Sequence, residues 1–174
     1  MENNGKNNIY ANKVLFSAIF MGMLPLLFIL IFYLQNPASP TLNILYQSSQ
    51  NIPSITSCFN PVMTKIMDLY CKSAPVLAVL LFFVLLKRRR TEKTVNKNHL
   101  ITACIITPFI YVFYIYFFLC SNFELTTAGR PLRLISGNNF SLLAFYLCLY
   151  YTSLLLTYMM CYYPLLVSSL WKQR

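Results

Sequence analysis

The sequence predicts an all-α integral membrane protein with four transmembrane helices and both termini in the cytoplasm. Three observations predict it. Of the 174 residues, 57% are hydrophobic and only 10% are charged, against roughly 25% charged in a soluble domain. So few charges cannot cover a surface in water, whereas a surface facing lipid needs none. Four apolar stretches meet or approach the about 20 helical residues that a hydrocarbon core about 30 Å thick requires. Lys and Arg alternate between rich and poor connecting segments, the pattern that sets membrane orientation. One membrane domain, residues 1–174, uses most of the length and leaves no room for a second, soluble one.

Span one, expected at 14–34, runs from Val14 to Leu34 without a charge. It is too long for a signal-peptide core, and the bulky Tyr33-Leu34-Gln35 offers no small-residue cleavage site, so it reads as a retained anchor. Ser17, Ala18 and Gly22 give it a small-residue face suited to close helix contact. In the loop that follows, expected over 35–70, Leu42, Leu45, Tyr46 and Ser49 fall at helical spacing. A short helix on the membrane surface and an irregular loop are both compatible with that pattern.

Span two is expected at 71–87. Its apolar run from Ser73 to Leu86 is short, but Asn60 to Lys72 reads as the start of the same helix. Asn60 suits the N-cap and Pro61 the first helical position. Asp68 and Lys72 stand four apart in the favourable acid-first order, and Pro75 predicts a kink by removing one backbone bond. Span three, at 100–120, carries a second such site in Pro108. Span four, at 142–163, passes Pro164 into an interfacial continuation, where Trp171 and Lys172 make a headgroup anchor.

Orientation follows from the cations. Lys6, Lys13, the central Lys87, Arg88, Arg89, Arg90, Lys93 and Lys97, and the terminal Lys172 and Arg174 make ten of the 14. Lys65, Lys72, Arg130 and Arg133 lie on the other side. The positive-inside rule therefore places the termini and the loop 88–99 in the cytoplasm and the loops 35–70 and 121–141 in the periplasm. A net charge of +10 invites a nucleic-acid reading. The excess lies beside the ends of apolar runs, so anionic lipid headgroups are the expected counterions of Lys87 to Arg90, and no nucleic-acid partner is expected.

Catalytic equipment is sparse. His99 is the single histidine, and Glu2, Asp68, Glu92 and Glu124 are the four acids. None lies within the expected hydrocarbon region, where pumps and coupled transporters carry ionisable groups. The six cysteines form no CxxC pair and have no accompanying histidine. No enzyme activity, metal, cofactor or small-molecule substrate is expected; a disulfide between Cys58 and Cys71, both on the oxidising side, stays open. A small transporter or channel subunit is the alternative class, but it requires pore-lining polar residues, and the spans offer mainly Thr, Ser and Tyr. Tyr151, Tyr158 and Tyr162 share one face of span four. As intramembrane contacts their hydroxyls need acceptors, either within the bundle or on another protein's helix.

The distinctive polar residues lie in the outer loops. Ile52-Pro53-Ser54-Ile55-Thr56-Ser57, the run from Asn60-Pro61-Val62-Met63-Thr64-Lys65 through Tyr70 to Lys72-Ser73-Ala74-Pro75, and Phe123-Glu124-Leu125-Thr126-Thr127-Ala128-Gly129-Arg130-Pro131 occur in that order. In these segments, and in length, span number and loop placement over nearly the whole chain, the sequence resembles the immunity proteins of pore-forming colicins, in the colicin A-type subgroup that serves colicins A, B and U. The resemblance implies a bacterial inner-membrane protein that binds the inserted channel domain of its toxin and prevents the channel from opening. It does not identify the contact residues. Glu124, Thr126, Thr127 and Arg130, with Asp68 and Lys72 at the start of span two, are the candidates for recognition. Capping, pairing or loop structure is the competing role for each.

Overall fold

The computed structural model describes residues 2–86 and 97–172. The basic cluster Lys87, Arg88, Arg89 and Arg90 lies outside the described residues. In chain order the elements are α1 (Glu2–Gln35), α2 (Pro40–Ser48), β1 (Ile55–Thr56), α3 (Pro61–Cys71), α4 (Ala74–Leu86), α5 (Lys97–Tyr114), β2 (Phe123–Glu124), α6 (Arg130–Ser136) and α7 (Asn139–Lys172), with a π-helical turn, Ile115–Cys120, extending α5.

Four helical stretches are long and apolar enough to cross a membrane: Ile9–Gln35, Pro61–Leu86, His99–Cys120 and Asn139–Ser169. At 1.5 Å per residue even the 22-residue stretch reaches about 33 Å, enough for the hydrocarbon core. The second begins at Pro61, earlier than the expected 71–87, and it is interrupted. Pro75 cannot donate to the carbonyl four residues back and its ring crowds that carbonyl, so α3 ends at Cys71 and α4 restarts at Ala74. Lys72 and Ser73 bridge the gap through bonds to the Asp68 and Tyr70 carbonyls at 3.1 and 2.9 Å. By contrast, α1 continues through Pro25, α5 through Pro108 and α7 through Pro164. The segment after Pro40 resolves as a helix, α2, with Leu42 as its buried residue.

Helix α7 is the hub. It packs against α1, α3, α4, α5 and α6, and 44% of its most apolar window is buried, against 6% for α5. The reason is in its sequence: Leu142, Tyr146, Leu149, Ser153 and Thr157 recur every three or four residues, and all are buried. Elsewhere large apolar side chains point outward, among them Phe16, Phe20 and Phe28 on α1 and Phe109, Val112 and Phe113 on α5. An outward apolar surface suits a bundle whose solvent is lipid.

Tyrosine hydroxyls inside that bundle take backbone carbonyls of neighbouring helices. Tyr70 donates to the Gly22 carbonyl at 2.9 Å, Tyr114 to Leu149 at 2.8 Å and Tyr151 to Ile19 at 3.3 Å. At one end the two long loops are joined. Strands β1 and β2 pair in parallel, Ile55 opposite Phe123 and Thr56 opposite Glu124. Phe123 N–H donates to the Ser54 carbonyl at 3.2 Å, and Leu125 N–H to that of Thr56 at 2.9 Å. Together with α2 and α6 this pair forms a cap over the bundle.

Candidate functional site

The cap is held to the helices by polar side chains. On α3 and its C-cap, Lys65, Asp68 and Lys72 follow at three- and four-residue spacing and share one face. Asp68 is wholly buried, with the Lys72 ammonium 3.1 Å from its Oδ2, but neither carboxylate oxygen receives a well-aligned hydrogen bond among the described residues. Lys72 instead directs its hydrogen bond to the Pro53 carbonyl, and Lys65 donates to that of Ile52. Two ammonium groups thus hold the chain leading into β1, and the buried carboxylate balances charge beneath them. The predicted Asp68–Lys72 pair exists, and its visible work is to fix this loop.

Further bonds lock the same segment. Tyr146 donates its hydroxyl to the Ile55 carbonyl at 2.8 Å, and the Asn122 side chain accepts from Ser54 N–H at 2.9 Å. Ser57 N–H reaches the Thr64 hydroxyl at 3.1 Å, and its own hydroxyl donates to the Ser136 carbonyl at 3.2 Å. Asn60 occupies the N-cap position of α3, yet its side chain makes no capping bond. The expected N-cap position holds, and the side chain works elsewhere: Asn60 Oδ1 accepts from Tyr33 at 2.8 Å and its amide donates to Asn139 at 2.7 Å, tying α1 and α7 to the start of α3.

Glu124, on β2, is half-exposed. Its Oε1 accepts from the Cys58 thiol and the Thr126 hydroxyl, while Thr127 donates to its backbone carbonyl at 3.1 Å. The Cys58 bond, then that of Thr126, lowers the Glu124 pKa, and the neighbouring carboxylate raises that of the Cys58 thiol. Cys71 is buried and donates to the Tyr146 carbonyl at 3.3 Å, so Cys58 and Cys71 are free thiols with separate partners. Arg130 is exposed at the start of α6 and pairs with no acid among the described residues. Gly129 is the N-cap of that helix, at φ 114°. Glu124, Thr126 and Thr127 are therefore brought together, Asp68 and Lys72 lie beneath them in the support, and Arg130 stands apart at the rim.

A cavity of about 380 Å³ opens between α2, the strand pair and α3. Tyr46, Gln50, Thr56, Lys65, Phe123 and Glu124 are among the residues that line it. Of the tyrosines on α7, Tyr151 donates to α1, and Tyr158 is buried and stacked on Tyr162 with ring centres 5.8 Å apart. A shallow apolar groove of about 550 Å³ runs along α5 beside Phe109, Phe113 and Tyr116. Among the described residues no group of three His, Cys, Asp or Glu side chains could hold a metal.

Residues 38–174 match the family model described as colicin immunity protein. The chain is 40% identical over 168 residues to the colicin-A immunity protein of Citrobacter freundii, covering 97% of this chain and 94% of that one. It is 38% identical over 174 residues to the colicin-B immunity protein of Escherichia coli, covering 100% and 99%. No solved structure matches the chain significantly.

Proposed function

This chain belongs to the colicin immunity protein family, and from that premise we propose how its cap and spans serve immunity. It is a multi-pass protein of the bacterial inner membrane that neutralises a cognate pore-forming colicin of the A/B type, and it is not an enzyme. Its termini lie in the cytoplasm and its cap in the periplasm, the side from which such a toxin inserts. The cap then meets the channel domain first, through Glu124, Thr126, Thr127 and Arg130. Tyr151, Tyr158 and Tyr162 order the helix that carries the bundle, and the apolar flanks beside it pair laterally with the toxin's membrane-inserted helices. Asp68 and Lys72 contribute by holding the recognition loops in place.

One observation supports this reading above the others. The pairing of β1 with β2 turns two loops, far apart in sequence, into one preformed polar surface. A preordered surface loses little entropy on binding, and a few of its side chains suffice to separate related toxins. Expression of this chain alone in sensitive cells, challenged with a panel of pore-forming colicins, tests it. Survival against at least one A-type toxin is expected. Death under every one of them, with the protein inserted in the membrane, would refute the reading.

A further inference from the structure

We propose that the cavity between α2, the strand pair and α3 receives a lysine or arginine side chain from the pore-forming domain of the toxin. This deepens, and rests on, the immunity reading above. Charge and shape both favour such an occupant. Two acids stand at the cap, and only one is available. Asp68 is wholly buried and set against Lys72. Glu124 is half-exposed on the cavity wall, its engaged oxygen is Oε1, and no Lys or Arg among the described residues pairs with it. Both bonds to Oε1 come from neutral donors, a thiol and a hydroxyl, so the negative charge is oriented without being cancelled.

The one cation on the wall, Lys65, is turned inward: it is 7% exposed and donates to the Ile52 carbonyl. Charge accessible from the cavity is thus the carboxylate. Its aromatic neighbours complete a site for a cation. Phe123 is 38% exposed and Tyr46 is half-buried, and both contribute to the lining. Aromatic faces attract ammonium and guanidinium groups. The Thr56 hydroxyl and the Gln50 amide add acceptors for the remaining N–H groups. A cavity of about 380 Å³ accommodates one long side chain and no folded element, so it anchors a single residue of the partner.

Three variants test this in cells whose wild-type chain protects against a given colicin. Glu124→Gln keeps an acceptor for Cys58 and Thr126 but removes the charge. Gln50→Trp fills the mouth, and Gln47→Ala, on the exposed side of α2, serves as the control. With membrane levels equal by immunoblot, the first two should lower the tolerated toxin dose by about tenfold or more, as loss of a desolvated charge contact does, and the control should not. Glu124→Arg should lose protection and regain it against one toxin variant in which a single Lys or Arg has become Glu. Full protection by Glu124→Gln, with or without loss in Gln50→Trp, would overturn the cationic assignment. A wild-type chain that protects against no colicin would overturn the immunity reading itself.

Discussion

At Gly22, α1 lies directly against the Tyr150 side chain of α7. A Cβ added there would sit 2.6 Å from the Tyr150 ring. That ring has nowhere to go, because Tyr150 is 1% exposed and stacked on Tyr70 with centres 5.1 Å apart. Gly22→Ala should therefore cost about 1–3 kcal/mol of stability by overpacking. Gly137→Ala, whose Cβ would meet nothing nearer than 3.9 Å, should cost almost nothing. Unfolding midpoints in detergent micelles distinguish the two, and equal midpoints would show that the close approach is absent. Glu124 and Cys58 allow a second prediction at this scale. The Glu124 carboxyl is held below the ordinary range of a glutamate by its bonds from Cys58 and Thr126. Those bonds therefore support the cap fully at pH values above the pKa of the unfolded carboxyl and fade as acid carries the pH through the lower, folded value. Glu124→Gln should flatten that acid limb. Glu124→Ala, which removes the acceptor, should speed alkylation of Cys58 by a maleimide at neutral pH, since the thiol pKa is raised chiefly by its bond to Glu124. An unchanged labelling rate would mean that no such bond forms.

Helix α3 shows what local sequence can and cannot reveal about an element. The i,i+4 pair of Asp68 and Lys72 and the effect of Pro75 are visible because both act within one or two helical turns. The spans are visible because apolar length needs no knowledge of the partner. Cys58 and Glu124 stand 66 residues apart, and Tyr146 and Ile55 stand 91 apart, so nothing local announces either bond. Strands of two residues leave no alternation to read, so the β pair is invisible in the sequence. Lys65 is the nearest miss: its spacing to Asp68 is legible, but its target, the Ile52 carbonyl, is not. The α3 cluster makes a sharp energetic prediction. Lys72→Met strands a buried carboxylate and should destabilise by about 3–5 kcal/mol, whereas adding Asp68→Asn should recover a large part of that loss. Stability and colicin survival should fall and return together. A double variant that folds like the wild type yet gives no protection would place Asp68 or Lys72 in direct contact with the toxin.

Across the whole chain, the asymmetry of charge supports the proposed orientation, with the cap in the periplasm. Of the four cations expected outside, Lys65 and Lys72 are bound to loop carbonyls, and Lys72 is paired with Asp68. That leaves Arg130 and Arg133 as the exposed cations at the cap, against ten Lys and Arg expected on the cytoplasmic side. Lys6, Lys87, Arg88, Arg89 and Arg90 make up part of that excess, and it is this count of Lys and Arg that sets orientation. Such a bias predicts a single orientation, and the cap carries its own reporter in the exposed Cys58. In intact spheroplasts, an impermeant maleimide should label Cys58, and in a Cys58→Ser background it should label a cysteine placed at the exposed Asn138. A cysteine at Asn96, outside the described residues, should react only after the membrane is permeabilised. The reverse pattern would put Glu124 and its cavity in the cytoplasm, on the far side of the bilayer from an arriving toxin. Recognition would then have to run through the apolar flanks of α1 and α5 alone, and the Glu124→Gln variant would protect as well as the wild type.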